Sequence, residues 1–333
     1  MSTALRMLRQ SVWIPNPTLT EANLPDQTGK VHIVTGGYSG VGQELAKILY
    51  SKNATVYIAG RSSQKGEESI ESIKAAYPTS TGHLHFLHLD LSDLSTIKKS
   101  AEEFLSKEKR LDVLTNNAGV MIPPKGSKDA QGFELQLGTN CLGPYLFTSL
   151  LLPLLKKTAA SSPPGSVRVT WAASSGVELS PTGGVEFESD GSVRTYGDPM
   201  KDYAQSKAAN VFLAFETARR YGGDGIISVA WNPGNLKSGL QRHAGQWLRW
   251  LGDQLVLYPA VLGAYTELYA GWSGDITQEN NGMVVFMGVQ SYMAGAKGRQ
   301  DGRGNMIVHI TPSEYQGRSV DAGGADWDNE GGC

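Results

Sequence analysis

Apolar residues recur along the chain with two alternating periods. Short apolar runs at Val31–Thr35, Ala54–Ala59, Leu84–Leu89, Val113–Asn116, Ser166–Trp171 and Ile226–Trp231 predict strands. Between them, apolar residues fall at helical spacing. These stretches predict helices from Gly40 to Ser51, from the second strand to about Tyr77, and over Leu94–Lys107. Asp129–Lys157 reads as one long or broken helix, another helix opens at Tyr203, and Met283–Met287 is a last strand. Such alternation predicts an α/β fold: one doubly wound parallel sheet with helices on both faces and ligand at the carboxyl ends of the strands. No internal repeat is present.

Two segments depart from the rhythm. Pro181–Asp198 is polar and glycine-containing and reads as a loop before the Tyr203 helix. Beyond Gln290 the chain is rich in Gly, Asp and Arg, a composition that predicts a poorly ordered tail over residues 291–333. The expected organisation is an extension over 1–27, one domain over 28–290 and that tail.

Composition narrows the classes. The chain has 333 residues, is 40% hydrophobic and carries a net charge of −2 with Lys and Arg dispersed. That size supports a sizeable core, and the charge argues against nucleic acid as a partner. Cys141 and Cys333 are the two cysteines, so no disulfide framework is implied and a reducing, cytoplasmic setting is expected. No apolar run reaches the roughly 18 residues that span a bilayer; Leu146 to Leu155 is short and interrupted by Pro153. Before the first acidic residue, Glu21, lie Arg6 and Arg9 with Leu5, Leu8, Val12 and Trp13. That pattern fits a short packed helix, a loose terminus, a transit peptide or an interfacial anchor.

The first predicted strand runs into Gly36-Gly37-Tyr38-Ser39-Gly40-Val41-Gly42 and then an amphipathic helix. Glycines let a backbone turn tightly and approach a pyrophosphate, which then sits at the positive end of the helix. Far downstream, Tyr203 is the one tyrosine with a lysine four residues later, Lys207. On a helix the two share a face, and an ammonium beside a phenol favours the phenolate. His83, His85 and His88 invite a metal reading, but on a strand His88 points away from the other two, so three ligands would not converge.

Thr35-Gly-x-x-x-Gly-x-Gly42, Asn116-Asn-Ala-Gly119, Ser174 and Tyr203-x-x-x-Lys207 together resemble the short-chain dehydrogenase/reductase family, in order from about Thr28 to Gly282. Leu24–Lys30 and Leu257–Glu267 look like its retinol-dehydrogenase-like branch, and fungal members in secondary metabolism are the nearest likeness. The resemblance implies a Rossmann fold and an NADP(H)-dependent oxidoreductase acting on a small apolar carbonyl or alcohol, a fungal secondary metabolite, with a homodimer or tetramer as the assembly. It assigns Tyr203 as acid/base, with Lys207 lowering its pKa and holding the ribose. Ser174 orients the carbonyl, with Ser175 one residue away as the alternative, and Asn140 relays through water.

For the cofactor the resemblance implies Gly36, Tyr38, Ser39, Gly40, Val41, Gly42, Asn117, Tyr203 and Lys207. Asp90 would accept from the adenine amino group, and Leu91 would pack on the ring. The competing reading of Asp90 is a turn or cap before Ser92. Arg61, where an NAD site carries Asp or Glu, suits the 2′-phosphate of NADP; an ordinary exposed arginine looks the same in sequence. Ser238 would meet the nicotinamide carboxamide or a phosphate, and residues 238–257, with Trp247 and Trp250, would form a lid. Two rivals remain open: a non-redox cyclisation or isomerisation on the same site, and a non-catalytic cofactor-binding regulator.

Overall fold

The computed structural model describes residues 16–234, 236, 258–286, 298–300 and 306–308. The extension over 1–15, Ser238, the expected lid at 238–257 and most of the tail lie outside the described residues. Seven strands, β1 Val31–Thr35, β2 Thr55–Gly60, β3 His83–His88, β4 Val113–Asn116, β5 Val167–Ala172, β6 Ile226–Asn232 and β7 Val284–Phe286, pair in parallel in the order 3-2-1-4-5-6-7. β1, β4, β5 and β6 are buried along their whole length. Strands covered on both faces read as continuous apolar runs, which is why they stood out in the sequence.

Among the described residues, six helices cover the sheet: α1 Gly40–Ser51, α2 Ser63–Ala76, α3 Leu94–Lys107, α4 Gly143–Ala160, α5 Pro199–Tyr221 and α6 Ala260–Trp272. One core lies under α3, α4 and α5 around Phe104, Phe147 and Trp171. The other lies under α1, α2 and α6 around Leu45, Ile73 and Trp231. The two layers make this a Rossmann-type sandwich. The strand order reverses between β1 and β4, so their carboxyl ends diverge and open a crevice there.

Three features add detail to the expected pattern. The long or broken helix expected within Asp129–Lys157 is broken: it begins at Leu135–Leu137, passes through a π-helical turn at Gly138–Leu142 and continues as α4. The polar stretch before α5 folds back on itself through a Phe187–Val193 bridge, with Arg194 paired to Glu186 at 2.7 Å and to Glu188 at 3.6 Å. From the stretch read as a loose tail, β8 Gly298–Gln300 and β9 Met306–Val308 add two antiparallel strands beyond β7. No helix among the described residues is long and apolar enough to cross a membrane.

Candidate active site

Thr35 closes β1 and organises the crevice. Its hydroxyl accepts from the backbone N–H groups of Asn117 (3.0 Å) and Ala118 (2.9 Å) and donates to Thr115 O (3.2 Å). Asn117 Nδ2 donates to Thr35 O at 2.8 Å, so the ends of β1 and β4 are bolted together. Gly42 must lack a side chain: a Cβ there would lie 2.5 Å from Asn117 Nδ2 and 2.9 Å from Gly36 O. Gly36 and Gly40 hold positive φ values of 67° and 57°, a conformation that favours glycine. A Cβ on Gly40 would meet nothing within 4 Å, so the turn opens onto free space at the mouth of α1.

That mouth is uncapped. Ser39 has extended backbone at the start of α1 but makes no side-chain capping bond, and the first turn holds no acid. By contrast, Ser62, Asp93 and Asp198 cap α2, α3 and α5. The first N–H groups of α1 therefore remain available to an anion. The Tyr38 ring lies against Gly60, where a Cβ would collide with it, and Arg61 follows at the surface. Asp90 Oδ1 accepts from Ser92 N (2.9 Å) and Ser92 Oγ (2.6 Å), so this carboxylate does build a local turn. Leu91 is buried against Gly143, in the core rather than on an open face.

The catalytic candidates converge where β5 ends. Asp198 accepts from Met200 N and Lys201 N and Pro199 sets the first helical residue, which fixes the start of α5. Tyr203 and Lys207 lie buried one turn apart. Lys207 Nζ donates to Ala172 O at 2.9 Å and stands 5.7 Å from the Tyr203 ring centre. Ser174 has extended backbone just past β5, and its hydroxyl accepts from Gly176 N at 3.1 Å. A Cβ on Gly176 would lie 3.3 Å from Tyr203 Cε1 and 3.4 Å from Ser174 Oγ, so this glycine lets the phenol and the hydroxyl approach.

Asn140 sits inside the π turn, in which Gly143 N donates to Gly138 O five residues back. Pro144 has no N–H to give Asn140 O, which removes one regular helical bond and accounts for the local widening. The Asn140 side chain grips Val120 from both sides: Oδ1 accepts from Val120 N (2.8 Å) and Nδ2 donates to Val120 O (3.0 Å). Nδ2 also donates to Ser206 Oγ (3.0 Å), which in turn donates to Tyr203 O (2.8 Å). Gly119 packs between this amide and the ammonium; a Cβ there would lie 3.0 Å from Asn140 Oδ1 and 3.6 Å from Lys207 Nζ.

Burial controls the proton affinities. It pushes the Lys207 ammonium down to about 8, with a small opposing effect from Cys141. It raises Tyr203, and a hydrogen bond with Ser174 pulls the other way. Cys141 donates to Ser206 O (3.1 Å), and burial pushes its thiol up to about 12.

Sequence reasoning missed Ser206, Asn210 and Gln136. Asn210 Nδ2 shares Ala172 O with Lys207 at 2.9 Å. Gln136 accepts from Ile122 N (2.9 Å) and donates to Pro199 O (3.0 Å), tying the loop after β4 to the start of α5. Ser206 and Asn210 lie three and seven residues after Tyr203, on the inward face of α5. Helical spacing marked that face, but polar side chains on it carried no signal of their own.

The site fits a dinucleotide. The uncapped α1 and the open space at Gly40 suit a pyrophosphate. The buried Lys207 ammonium uses one of its three donors on Ala172 O, which suits further acceptors from a ribose.

A glycine turn at the switch point of a doubly wound sheet, with a Tyr-Lys-Ser cluster at the next strand end, defines a nucleotide-dependent oxidoreductase of the short-chain type. A family model described as short chain dehydrogenase matches residues 30–170. A short-chain dehydrogenase/reductase of Phomopsis amygdali is 52% identical over 271 residues, 79% of this chain and 79% of its own. The short-chain dehydrogenase/reductase pkfC of Emericella nidulans is 50% identical over 265 residues, 79% of this chain and 84% of its own. Among solved structures, levodione reductase superposes with a TM-score of 0.60 at 22% identity, covering 78% of this chain and 95% of that one. An NADP complex of Pseudomonas aeruginosa RhlG gives 0.55 at 25% identity, covering 76% and 94%. The chain belongs to the short-chain dehydrogenase/reductase family.

Proposed function

We propose that this chain is an NADP(H)-dependent oxidoreductase that interconverts a ketone or aldehyde with an alcohol on a small apolar molecule, a fungal secondary metabolite. The observation that carries this reading is the buried Tyr203 phenol beside Ser174, with the Lys207 ammonium behind it. Arg61 at the end of β2 and the NADP bound to RhlG support the choice of phosphorylated cofactor. The fungal sources of the two close relatives support the substrate class.

When bound, the nicotinamide supplies or accepts hydride at the carbonyl carbon. The protein handles the proton. Burial keeps Tyr203 protonated near neutrality, so the phenol is poised as a donor to the carbonyl oxygen in the direction of reduction. Ser174 donates to the same oxygen and orients it. As negative charge moves onto Tyr203, the nearby Lys207 ammonium stabilises the phenolate. Lys207 also holds the ribose hydroxyls. Asn140 fixes Val120 and, through Ser206, the first turn of α5, and its freed carbonyl takes the water that links Lys207 to solvent.

Around the cofactor, Gly36, Gly40, Val41 and Gly42 carry the pyrophosphate at α1, with Ser39 and Tyr38 lining the turn. Asn117 braces the adenosine side, while Asp90 lies beside the base; Leu91, buried against Gly143, does not present its side chain to the ring.

Consumption of NADPH with a panel of apolar carbonyls tests the reading. Tyr203→Phe should keep the fold and cofactor affinity and slow turnover by about 10²–10⁴-fold, the range for loss of a positioned proton donor. Near-full activity in that variant on a substrate the native chain reduces would overturn it.

A further inference from the structure

Glu267 lies in the middle of α6, fully buried, and among the described residues neither carboxyl oxygen has a hydrogen-bond partner. Its neighbours four residues away locate it. On one side, a Cβ on Gly271 would lie 3.5 Å from Val113 Cγ1 and 4.0 Å from Thr170 Cγ2, over β4 and β5. On the other, a Cβ on Gly263 would lie 2.2 Å from Leu236 Cδ1 and 3.0 Å from Val41 Cγ2, so α6 meets α1 here with Leu236 packed beside the contact. Val41 is the second residue of α1, within the dinucleotide turn. Residues four apart share a helix face, so one stripe of α6 reaches from the middle of the sheet to the cofactor turn, with Glu267 between its two close contacts.

Among the described residues, the surroundings hold no charge partner for it. On the sheet face under α6, burial holds His32 down at about 4, neutral, with its ring edge-on to Trp272. Arg168 is engaged with four backbone carbonyls. On α1, Lys47 is paired with Glu44 at 2.8 Å. On α6 itself, Tyr269 donates to Asp275, and Tyr265 interacts with Glu21. β6 and β7 carry no titratable side chain toward it. Thr115 and Thr170, cross-strand partners on this face, have hydroxyl oxygens that also lack partners, as does the Trp231 indole N–H.

We propose that Glu267 is a positioning residue for the dinucleotide: the chain holds the cofactor with Glu267 neutral, and loss of that proton loosens the α6–α1 contact beneath the pyrophosphate. An ionised carboxylate with no bonded donor and no counter-ion is strongly disfavoured in a buried site. The chain either keeps the proton or lets water in along α6. Letting water in separates Gly263 from Val41, and with it shifts the N–H groups at the start of α1. A negative charge under a pyrophosphate opposes binding in the same direction. Burial raises the Glu267 carboxyl well above its ordinary 4.5.

The inference rests on the cofactor reading above. NADPH dissociation constants of the native chain and Glu267→Gln are measured by fluorescence titration from pH 6 to 9.5. Lys207 and the cofactor phosphate titrate in both proteins and cancel in the ratio. The native chain should lose affinity relative to the variant as pH rises, approaching about tenfold per pH unit where only the protonated form binds. Without cofactor, its thermal midpoint should also fall relative to the variant over the same range.

Parallel pH profiles with tight binding in both overturn the inference while leaving the cofactor reading intact. Absence of NADPH binding by the native chain at pH 6 overturns both. If Glu267→Gln does not fold, Glu267→Leu takes its place with the same two outcomes.

Discussion

Arg168 offers the sharpest test of how the sheet is joined to α6. It is a guanidinium buried inside the domain without a carboxylate. Nε donates to Gly165 O (3.0 Å), Nη1 to Ala270 O (3.2 Å), and Nη2 to Ser273 O (2.7 Å) and Ile276 O (3.2 Å). Burial lowers its pKa from 12.5 to about 10, and at about 1.4 kcal/mol per unit this is a desolvation cost of about 3 kcal/mol. Four charge-assisted bonds at about 1.5–3 kcal/mol each outweigh it. Arg168→Met keeps much of the apolar stem and leaves four carbonyls without that donor.

The expected net loss is about 3–5 kcal/mol, the lower part of the difference, because some freed carbonyls regain water. In a domain of this size that lowers the thermal midpoint on the order of 10 °C. Urea unfolding read by tryptophan fluorescence and by circular dichroism measures it. Arg168→Lys, which keeps the charge but not the fork, should fall between. A loss under about 1 kcal/mol for Arg168→Met refutes the idea that this side chain clamps α6.

Gly42→Ala should weaken NADPH binding at least about tenfold and destabilise by about 1–3 kcal/mol, since the new methyl meets Asn117 and Gly36 O; isothermal titration and urea unfolding check the two halves. Asn140→Ala frees Val120 and Ser206 from their shared amide, so it should lower turnover together with stability, by about 1–3 kcal/mol. His32, at about 4 when folded against an ordinary 6.5, takes up protons more readily in the unfolded chain. Its contribution is therefore complete above pH 6.5 and lost as pH falls toward 4, about 3 kcal/mol in all; comparing urea midpoints of the native chain and His32→Gln at pH 7 and 4.5 isolates it. Arg61→Ala should cost NADPH about 1.5–3 kcal/mol of affinity and leave NADH unchanged.

The architecture was legible because each of its central strands is covered on both faces and so forms an unbroken apolar run. Boundaries moved by a residue: the second strand is Thr55–Gly60 and the third His83–His88. Tyr203, Lys207, Ser174 and Asn117 were legible because short motifs carry them, and the structure brings the first three to one strand end. What the sequence hid was polar chemistry inside apolar patterns. Arg168 sits in a run of strand formers, and Glu267 in a helix otherwise rich in Ala, Leu and Tyr. Neither spacing nor composition distinguishes a buried arginine or glutamate from an exposed one. The π turn was signalled by Pro144 as a disturbance, but its kind depends on which carbonyl Gly143 N finds.

The thiol of Cys141 makes the catalytic layer observable without any substrate. It is buried under α5, bonded to Ser206 O, and so weakly acidic that almost no thiolate exists at neutral pH. An alkylating reagent can therefore reach it only in molecules where α5 has lifted from the π turn. Under conditions where reclosing is fast, the modification rate of Cys141 equals the intrinsic rate of a free thiol multiplied by the fraction of time spent open. With Cys333 replaced by serine, that rate becomes a direct clock for opening of the packing around Lys207, and its slowing on addition of a nucleotide would measure how strongly a ligand holds the layer shut.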